Sequence, residues 1–374
     1  RAASINSMIR VGRSKFWGIF GTVGIATGFL ILTFYSTIGG WCVAYAVDAA
    51  MGNGIITDLS QLGVHFNQFA SDPVLGIFYQ IVFMIMTAGV VIFGVQAGIE
   101  RLAKYLMPTL FILMIVLIIR GLTLPGAWQG VEFMFSFNWE QFTAESLFNA
   151  MGFCFFSLSV GAGTLIVYAS YLSDEANLPH STAWVAFLGI LAALLGGLMV
   201  MPPVFAFGLE PTAGPGLTFV TMPAVFAHMP FGTFFAVLFY ICLIVAAITS
   251  SVSIFEAVVA AMGDLHISRR TAVPVAFISI MVIGVFCTMS FGPLADFKIF
   301  GKTVFDLLDY LTSNVGMPLT ALGLAVVAAW VNWPETRKQL TTACPLSGTM
   351  LTVIRLGIGI ISPIVIITVV ARSL

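Results

Sequence analysis

Charge is what this sequence has least of. Of its 374 residues, 8% are Asp, Glu, Lys or Arg and 59% are hydrophobic, and the mean hydropathy is +1.05. A soluble domain carries about 25% charge, so the chain is a polytopic membrane protein. A net charge of −1 gives no case for nucleic acid. Metal-type groupings are missing as well. The five cysteines (Cys42, Cys154, Cys242, Cys287, Cys344) are scattered through apolar runs without a CxxC spacing, and they read as small core hydrophobes. The four histidines are dispersed. An intramembrane enzyme needs paired acids, a Ser/His pair or a metal cluster converging at one depth, and the sequence offers none. An initiating methionine is also missing. The basic stretch Arg1, Arg10, Arg13, Lys15 shows no signal-peptide pattern and reads as a loop entered midway, which implies a preceding piece.

What is present is a series of apolar runs long enough to cross a bilayer. They predict nine spans, at about 17–49, 75–96, 105–121, 147–171, 182–207, 232–262, 271–292, 304–331 and 349–371. Basic residues orient them. Arg1, Arg10, Arg13, Lys15, Arg101, Lys104, Arg269, Arg270, Arg337 and Lys338 fall on one side, and Arg120, Lys298, Lys302 and Arg372 on the other. Ten against four, with Arg355 just inside the last span, puts the start (1–16, a loop) in the cytoplasm and the C-terminus outside. The first span is too long to stand upright and is expected to tilt. Residues 122–146, with Trp128, Trp139 and several phenylalanines, suit the outer interface, and 207–232, with four prolines and four glycines, suggests an outer lid of short helices.

One span is out of character. Asn149–Leu172 is apolar at both ends, but its middle is Ser157-Leu158-Ser159-Val160-Gly161-Ala162-Gly163. Glycines weaken a helix, and serines put oxygens where polar groups are most costly. Irregular backbone at that depth survives only where it lines a cavity or is buried in protein. The alternative is that Ser157-x3-Gly161 and Ser159-x3-Gly163 are small-residue packing faces. The sixth span carries Thr249-Ser250-Ser251 at mid-depth, where a lone hydroxyl usually bonds back along its own helix. Glu256 lies further along the same span and needs a partner inside the bundle.

GIERLAKYLMPTLFIL, FFSLSVGAGTLIVYASYL, FGLEPTAGPGLTF and the stretch from Ala246 to Glu256, in this order, resemble the neurotransmitter:sodium symporter family in its bacterial amino-acid branch. The likeness runs through essentially the whole chain. It implies an all-α fold of five helices plus five in inverted repeat, followed by one or two more, of which this chain resembles helices three to eleven. Residues 17–121 would be the rest of the first repeat, 147–331 the second, and 349–371 the last helix, all in one transporter domain. The first two helices, one of which completes the site in that family, would lie upstream of Arg1.

The resemblance further implies roles for particular residues. Ile31, Tyr35, Phe156, Ser157, Ser159, Ala162, Ser250 and Ile254 would bind substrate, the Tyr35 hydroxyl holding a carboxylate. The Ala246 carbonyl with the Thr249 and Ser250 hydroxyls would hold the second sodium, and Ser157 is the one ligand left for the first. Tyr35, Phe156 and Asp309 would gate from outside, Tyr171 and Asp264 from inside. Departures cluster at the first sodium site and the neighbouring chloride position, where Leu188 or Gly189, Ala192 or Ala193, and Phe153 replace polar residues. They imply a weak or absent first sodium site. Ala162 leaves room for a bulky apolar or aromatic substrate.

The function expected is sodium-coupled symport of an amino acid or related amine across the plasma membrane by alternating access. Sodium would be the coupling ion, with no other cofactor, and a homodimer is an assembly left open. Two rivals stand beside it, a truncated remnant without transport and a proton-coupled or exchanging carrier of the same fold.

Overall fold

Inside a bilayer no water can satisfy backbone N–H and C=O groups, so each apolar run folds as a helix that bonds to itself. The computed structural model describes residues 4–52, 59–137, 139, 142–173, 175–211 and 214–373. Arg1, counted in the orientation above, and residues 212–213 of the expected lid lie outside the described residues.

The chain begins with α1 (Ser4–Gly12), a helix where a loop was expected, and the long α2 (Gly18–Met51) follows. Next come α3 (Leu59–Ser71), α4 (Pro73–Val91), α5 (Arg101–Leu122) and α6 (Trp128–Phe135). The broken span gives α7 (Ala144–Ser157) and α8 (Thr164–Tyr171), and α9 (Leu178–Ala206) follows. The lid holds a π-helical turn, Leu217–Thr221, and α10 (Met222–His228). The remainder is α11 (Gly232–Asp264), α12 (Arg269–Met289), α13 (Val304–Tyr310), α14 (Met317–Val326), α15 (Trp333–Thr341), α16 (Gly348–Leu356) and α17 (Ser362–Ser373). Among the described residues there is no strand beyond one isolated bridge, Ile299 to Lys302.

Among the described residues, eight helical stretches are long and apolar enough to cross a membrane, α13–α14 and α16–α17 each running on through π-helical turns. The ninth expected span is the interrupted one. Its two halves are 14 and 8 residues long, too short to cross alone.

The 34 residues of α2 make about 50 Å of helix, well beyond the ~30 Å hydrocarbon core, which requires a tilt. α2 packs on α4, α11, α12 and α14 and so forms the axis of the molecule. At its middle, Leu32, Phe83, Met84, Phe255 and Ile280 are fully buried together. Toward its C-terminal end, Trp41 meets Phe66, Phe219 and Phe291 edge-on, and Phe219 stacks on Tyr240. Phe219 comes from the lid, and the Tyr240 hydroxyl donates to the Thr218 carbonyl at 3.0 Å, so the lid is fastened to α2 and α11.

Helices in lipid gain little from apolar burial alone, and polar contacts help to select which faces meet. Gln80 of α4 is fully buried and does this for three helices. Its amide donates to Ser36 Oγ at 2.9 Å and to the Thr33 carbonyl and Thr37 Oγ1 at 3.3 Å, and its carbonyl accepts from Thr288 of α12 at 2.8 Å. Gln80→Leu keeps the bulk and removes all four bonds, leaving Ser36 on the Thr33 carbonyl and Thr37 paired with Thr288. A buried hydrogen bond contributes about 0.5–1.5 kcal/mol net. The variant should lose stability on that scale in a detergent unfolding curve; an unchanged curve would show that the amide is idle.

Candidate functional site

The break in the span has a definite backbone course. α7 ends as Leu158 N–H reaches the Cys154 carbonyl at 3.0 Å and Ser159 N–H the Phe156 carbonyl at 3.0 Å. The chain then takes positive φ at Ser159 (52°), Gly161 (96°) and Gly163 (75°) before α8 begins. Glycine adopts such angles freely; serine does so at a cost met where the surroundings hold it. The surroundings here are tight. A Cβ on Gly161 would stand 2.1 Å from the Met317 carbonyl oxygen of α14, and one on Gly28 of α2 would stand 2.9 Å from the Ala162 carbonyl oxygen. Two helices therefore cradle the loop through backbone contact. The break is structural, beyond a matter of small packing faces.

Beside the break lies a cleft of about 630 Å³ between α5, the loop, α9 and α11. It gathers Ser157, Ser159, Thr249, Ser250 and Ile254, five residues singled out in the sequence. Within α11 the Thr249 hydroxyl donates to the Ala246 carbonyl at 2.9 Å, the back-bond expected of a lone hydroxyl. That bond uses the proton and leaves the oxygen lone pairs free to accept a cation, alongside Ser250. A chain of hydrogen bonds supports this turn from behind: Tyr168 of α8 donates to Ser253 at 2.8 Å, and Ser253 donates to the Thr249 carbonyl at 2.9 Å.

Other expected residues stand nearby or elsewhere. Ile31 is buried in the core beside the cleft, and the Tyr35 hydroxyl faces Ser250. Ala162 is buried with its carbonyl against Gly28, and Ala246 takes part through its carbonyl alone. Phe156 and Asp309 share a second cavity of about 560 Å³, on the other side of the break, with Glu145 and Arg372. Gly189 of α9 lines the main cleft and offers it no side-chain oxygen, while Leu188 is exposed. Phe153 is exposed beside the second cavity.

At the opposite end, Tyr171 and Asp264 each make a contact of their own. The Tyr171 hydroxyl donates to Glu256 at 2.9 Å, and Asp264 accepts from Asn6 of α1 at 2.9 Å. Glu256, fully buried, has found its partner in Arg269, whose Nη1 donates to it at 3.1 Å and whose Nη2 pairs with its other oxygen. Arg269 Nε also reaches the Val91 carbonyl at 2.9 Å, so four helices meet at this pair. The sequence showed that Glu256 needed a partner but not which one. Thr164 was missed altogether: it lines the cleft, 3% exposed, and its hydroxyl has no partner among the described residues. Its one signal was a hydroxyl directly after the second glycine of the break.

Three comparisons bear on this geometry. Residues 75–374 match the family described as the sodium:neurotransmitter symporter family. YhdH, a sodium-dependent transporter of Bacillus subtilis, is 41% identical over 82% of this chain and 68% of its own length. A sodium-dependent transporter of Haemophilus influenzae is 36% identical over 88% of this chain and 74% of its own. Among solved structures, MhsT in complex with L-phenylalanine superposes with a TM-score of 0.91 at 35% identity, covering 100% of this chain and 85% of that one. The chain belongs to the sodium:neurotransmitter symporter family, multi-pass membrane transporters rather than enzymes, with sodium as the coupling ion.

Proposed function

We propose that the chain carries out sodium-coupled symport of an amino acid with a bulky apolar or aromatic side chain, by alternating access around the cleft beside the break. The observation that carries this reading is the cleft itself, which brings Ser157 and Ser159 of the break against Thr249, Ser250 and Ile254 of α11. Its chemistry suits a zwitterion. The last carbonyls of α7 present the negative end of a helix dipole to an ammonium group, and Ile254 supplies an apolar wall. Its volume of about 630 Å³ falls within the range of small-molecule sites. The L-phenylalanine bound to MhsT supports a large side chain, as does the small Ala162 in the loop.

In this reading the second sodium takes the Ala246 carbonyl, Thr249 and Ser250, and Thr164 adds an unpartnered hydroxyl to the same cleft. The first sodium has Ser157 and, across from it, only Gly189, so one sodium accompanies each substrate. Phe156 and Asp309 gate the outer side and Tyr35 closes the pocket. Tyr171 gates the inner side through Glu256, and Asp264 does so through α1. The membrane is the plasma membrane, with α1 cytoplasmic and the end of α17 outside, and residues 17–121 and 147–331 act as two repeats in one domain. Moving one charge inward gains about 2.3 kcal/mol per 100 mV, roughly fifty-fold in accumulation.

The test is uptake of labelled L-phenylalanine into proteoliposomes with an inward sodium gradient. Uptake should stop when choline replaces sodium, and tryptophan or leucine should compete where glycine does not. Uptake driven as well by a proton gradient without sodium overturns the reading. Thr249→Ala removes one charge-facing oxygen. A hydrogen bond or ligand to a charged group contributes about 1.5–3 kcal/mol, so the sodium concentration for half-maximal uptake should rise about tenfold or more. The KM for phenylalanine at saturating sodium should barely move.

A further inference from the structure

Arg355 sits well inside an apolar segment. It lies seven residues into the helix that starts at Gly348, about 10 Å along its axis, and the span Gly348–Arg372 is otherwise almost free of charge. An ionisable residue at such depth normally has a partner and a task. Here the protein supplies only part of a partner. Arg355 Nε donates to the Ala329 carbonyl at 3.1 Å, and the guanidinium lies against Trp330 and Trp333, 5.6 and 5.2 Å from their ring centres. Among the described residues neither terminal nitrogen of Arg355 has an acceptor.

Arg355 lines a pocket of about 340 Å³ between α15 and α16, which Arg337 of α15 also lines. No acidic residue lines it. Glu335, the acid nearest in sequence, accepts from Gln339 along its own helix. Two guanidinium groups therefore face one pocket with no anion of the protein's own. Below the pocket the surface turns apolar: Leu356 and Ile360 line it, and Ile361 and Ile364 continue outward along the same helix, all of them exposed. Trp330 and Trp333, where the span gives way to α15, mark the level of a membrane interface.

We propose that this pocket binds the headgroup of an anionic phospholipid. The phosphate takes the open N–H groups of Arg355 and Arg337, the indoles flank it, and the acyl chains lie on Ile360, Ile361 and Ile364. A planar guanidinium is well matched to phosphate oxygens in pairs. The apolar track is what commits the site to a lipid over a soluble anion, which would have no use for it. Basic pockets between membrane helices take acidic headgroups by the same physics.

The experiment is native mass spectrometry of the protein in detergent, offered equal amounts of phosphatidylglycerol and phosphatidylcholine. The wild type should retain phosphatidylglycerol in clear preference, and Arg355→Gln and Arg337→Gln should each cut that preference by about fivefold. Arg337 is exposed, so its variant keeps the test open if Arg355→Gln fails to fold. Equal retention of the two lipids by wild type overturns the proposal, as does a preference that neither substitution changes. Displacement of the lipid by inorganic phosphate alone also overturns it, since the site would then belong to a free anion.

Discussion

Glu256→Ala should lower the stability of the protein by about 3–5 kcal/mol, the cost of breaking a buried ion pair by removing one member. The carboxylate is fully buried on α11, and it accepts from the Tyr171 hydroxyl and from two nitrogens of Arg269. Without it the Arg269 guanidinium keeps only the Val91 carbonyl, and the Tyr171 hydroxyl loses its acceptor. The partners come from four helices, so the damage is shared by α4, α8, α11 and α12. Glu256→Gln keeps the shape and an acceptor for Tyr171 and should cost less, about 1–3 kcal/mol. Thermal unfolding of both variants in detergent, beside the wild type, gives the comparison. If alanine and glutamine cost the same, the charge is irrelevant and the pair is only packing. The same cluster joins α8, one half of the broken helix, to α11, so any motion of α8 must strain it. Glutamine should therefore also change the rate of uptake beyond its effect on stability.

The second large effect is expected at Gly161. Gly161→Val should abolish substrate accumulation in protein that still reaches the membrane. The residue has φ of 96°, and its absent side chain would begin 2.1 Å from the Met317 carbonyl. No rotamer relieves that contact, because the clash is at Cβ and the obstacle is backbone. Positive φ adds about 1–2 kcal/mol for an L-residue. The loop must shift, and with it Ser159 and Thr164, which line the cleft. Gly52→Ala separates clash from strain. It has φ of 77° with nothing among the described residues within 4 Å of a Cβ, so it isolates the backbone penalty. Uptake normalised to surface protein should survive Gly52→Ala and vanish with Gly161→Val. Equal uptake in the two would mean that the loop tolerates movement and does not shape the site.

The broken helix was legible in the sequence because it contradicts its surroundings: two serines and two glycines interrupt an apolar run where regular helix is cheapest. Thr249 and Ser250 were legible through the resemblance, and the structure brings them to the same cleft as the break. Glu256 announced a need, since a carboxylate at that depth demands a counter-charge. Its answer, Arg269, stands 13 residues on, beyond the turn and on the next helix, and was counted only as a loop charge. Gln80 gave no signal, being one amide in an apolar helix, and its role depends on α2 and α12 arriving beside it. Thr164 carried no reading in the sequence; at the first position of α8 it has no preceding helical turn to bond back to, which leaves its hydroxyl for the cleft. The opening segment read as a loop from its charges. Met8 and Gly12, buried on one side of α1, show that it is an amphipathic helix lying against α2.

One measurement bears on the central claim more directly than the others: equilibrium binding of labelled L-phenylalanine to the purified protein while sodium is titrated against choline. The account predicts saturable binding that disappears in choline, rises with sodium with a Hill coefficient near one, and shifts to higher sodium in Thr249→Ala. Binding that is as strong in choline, or a Hill coefficient near two in the wild type, would contradict it.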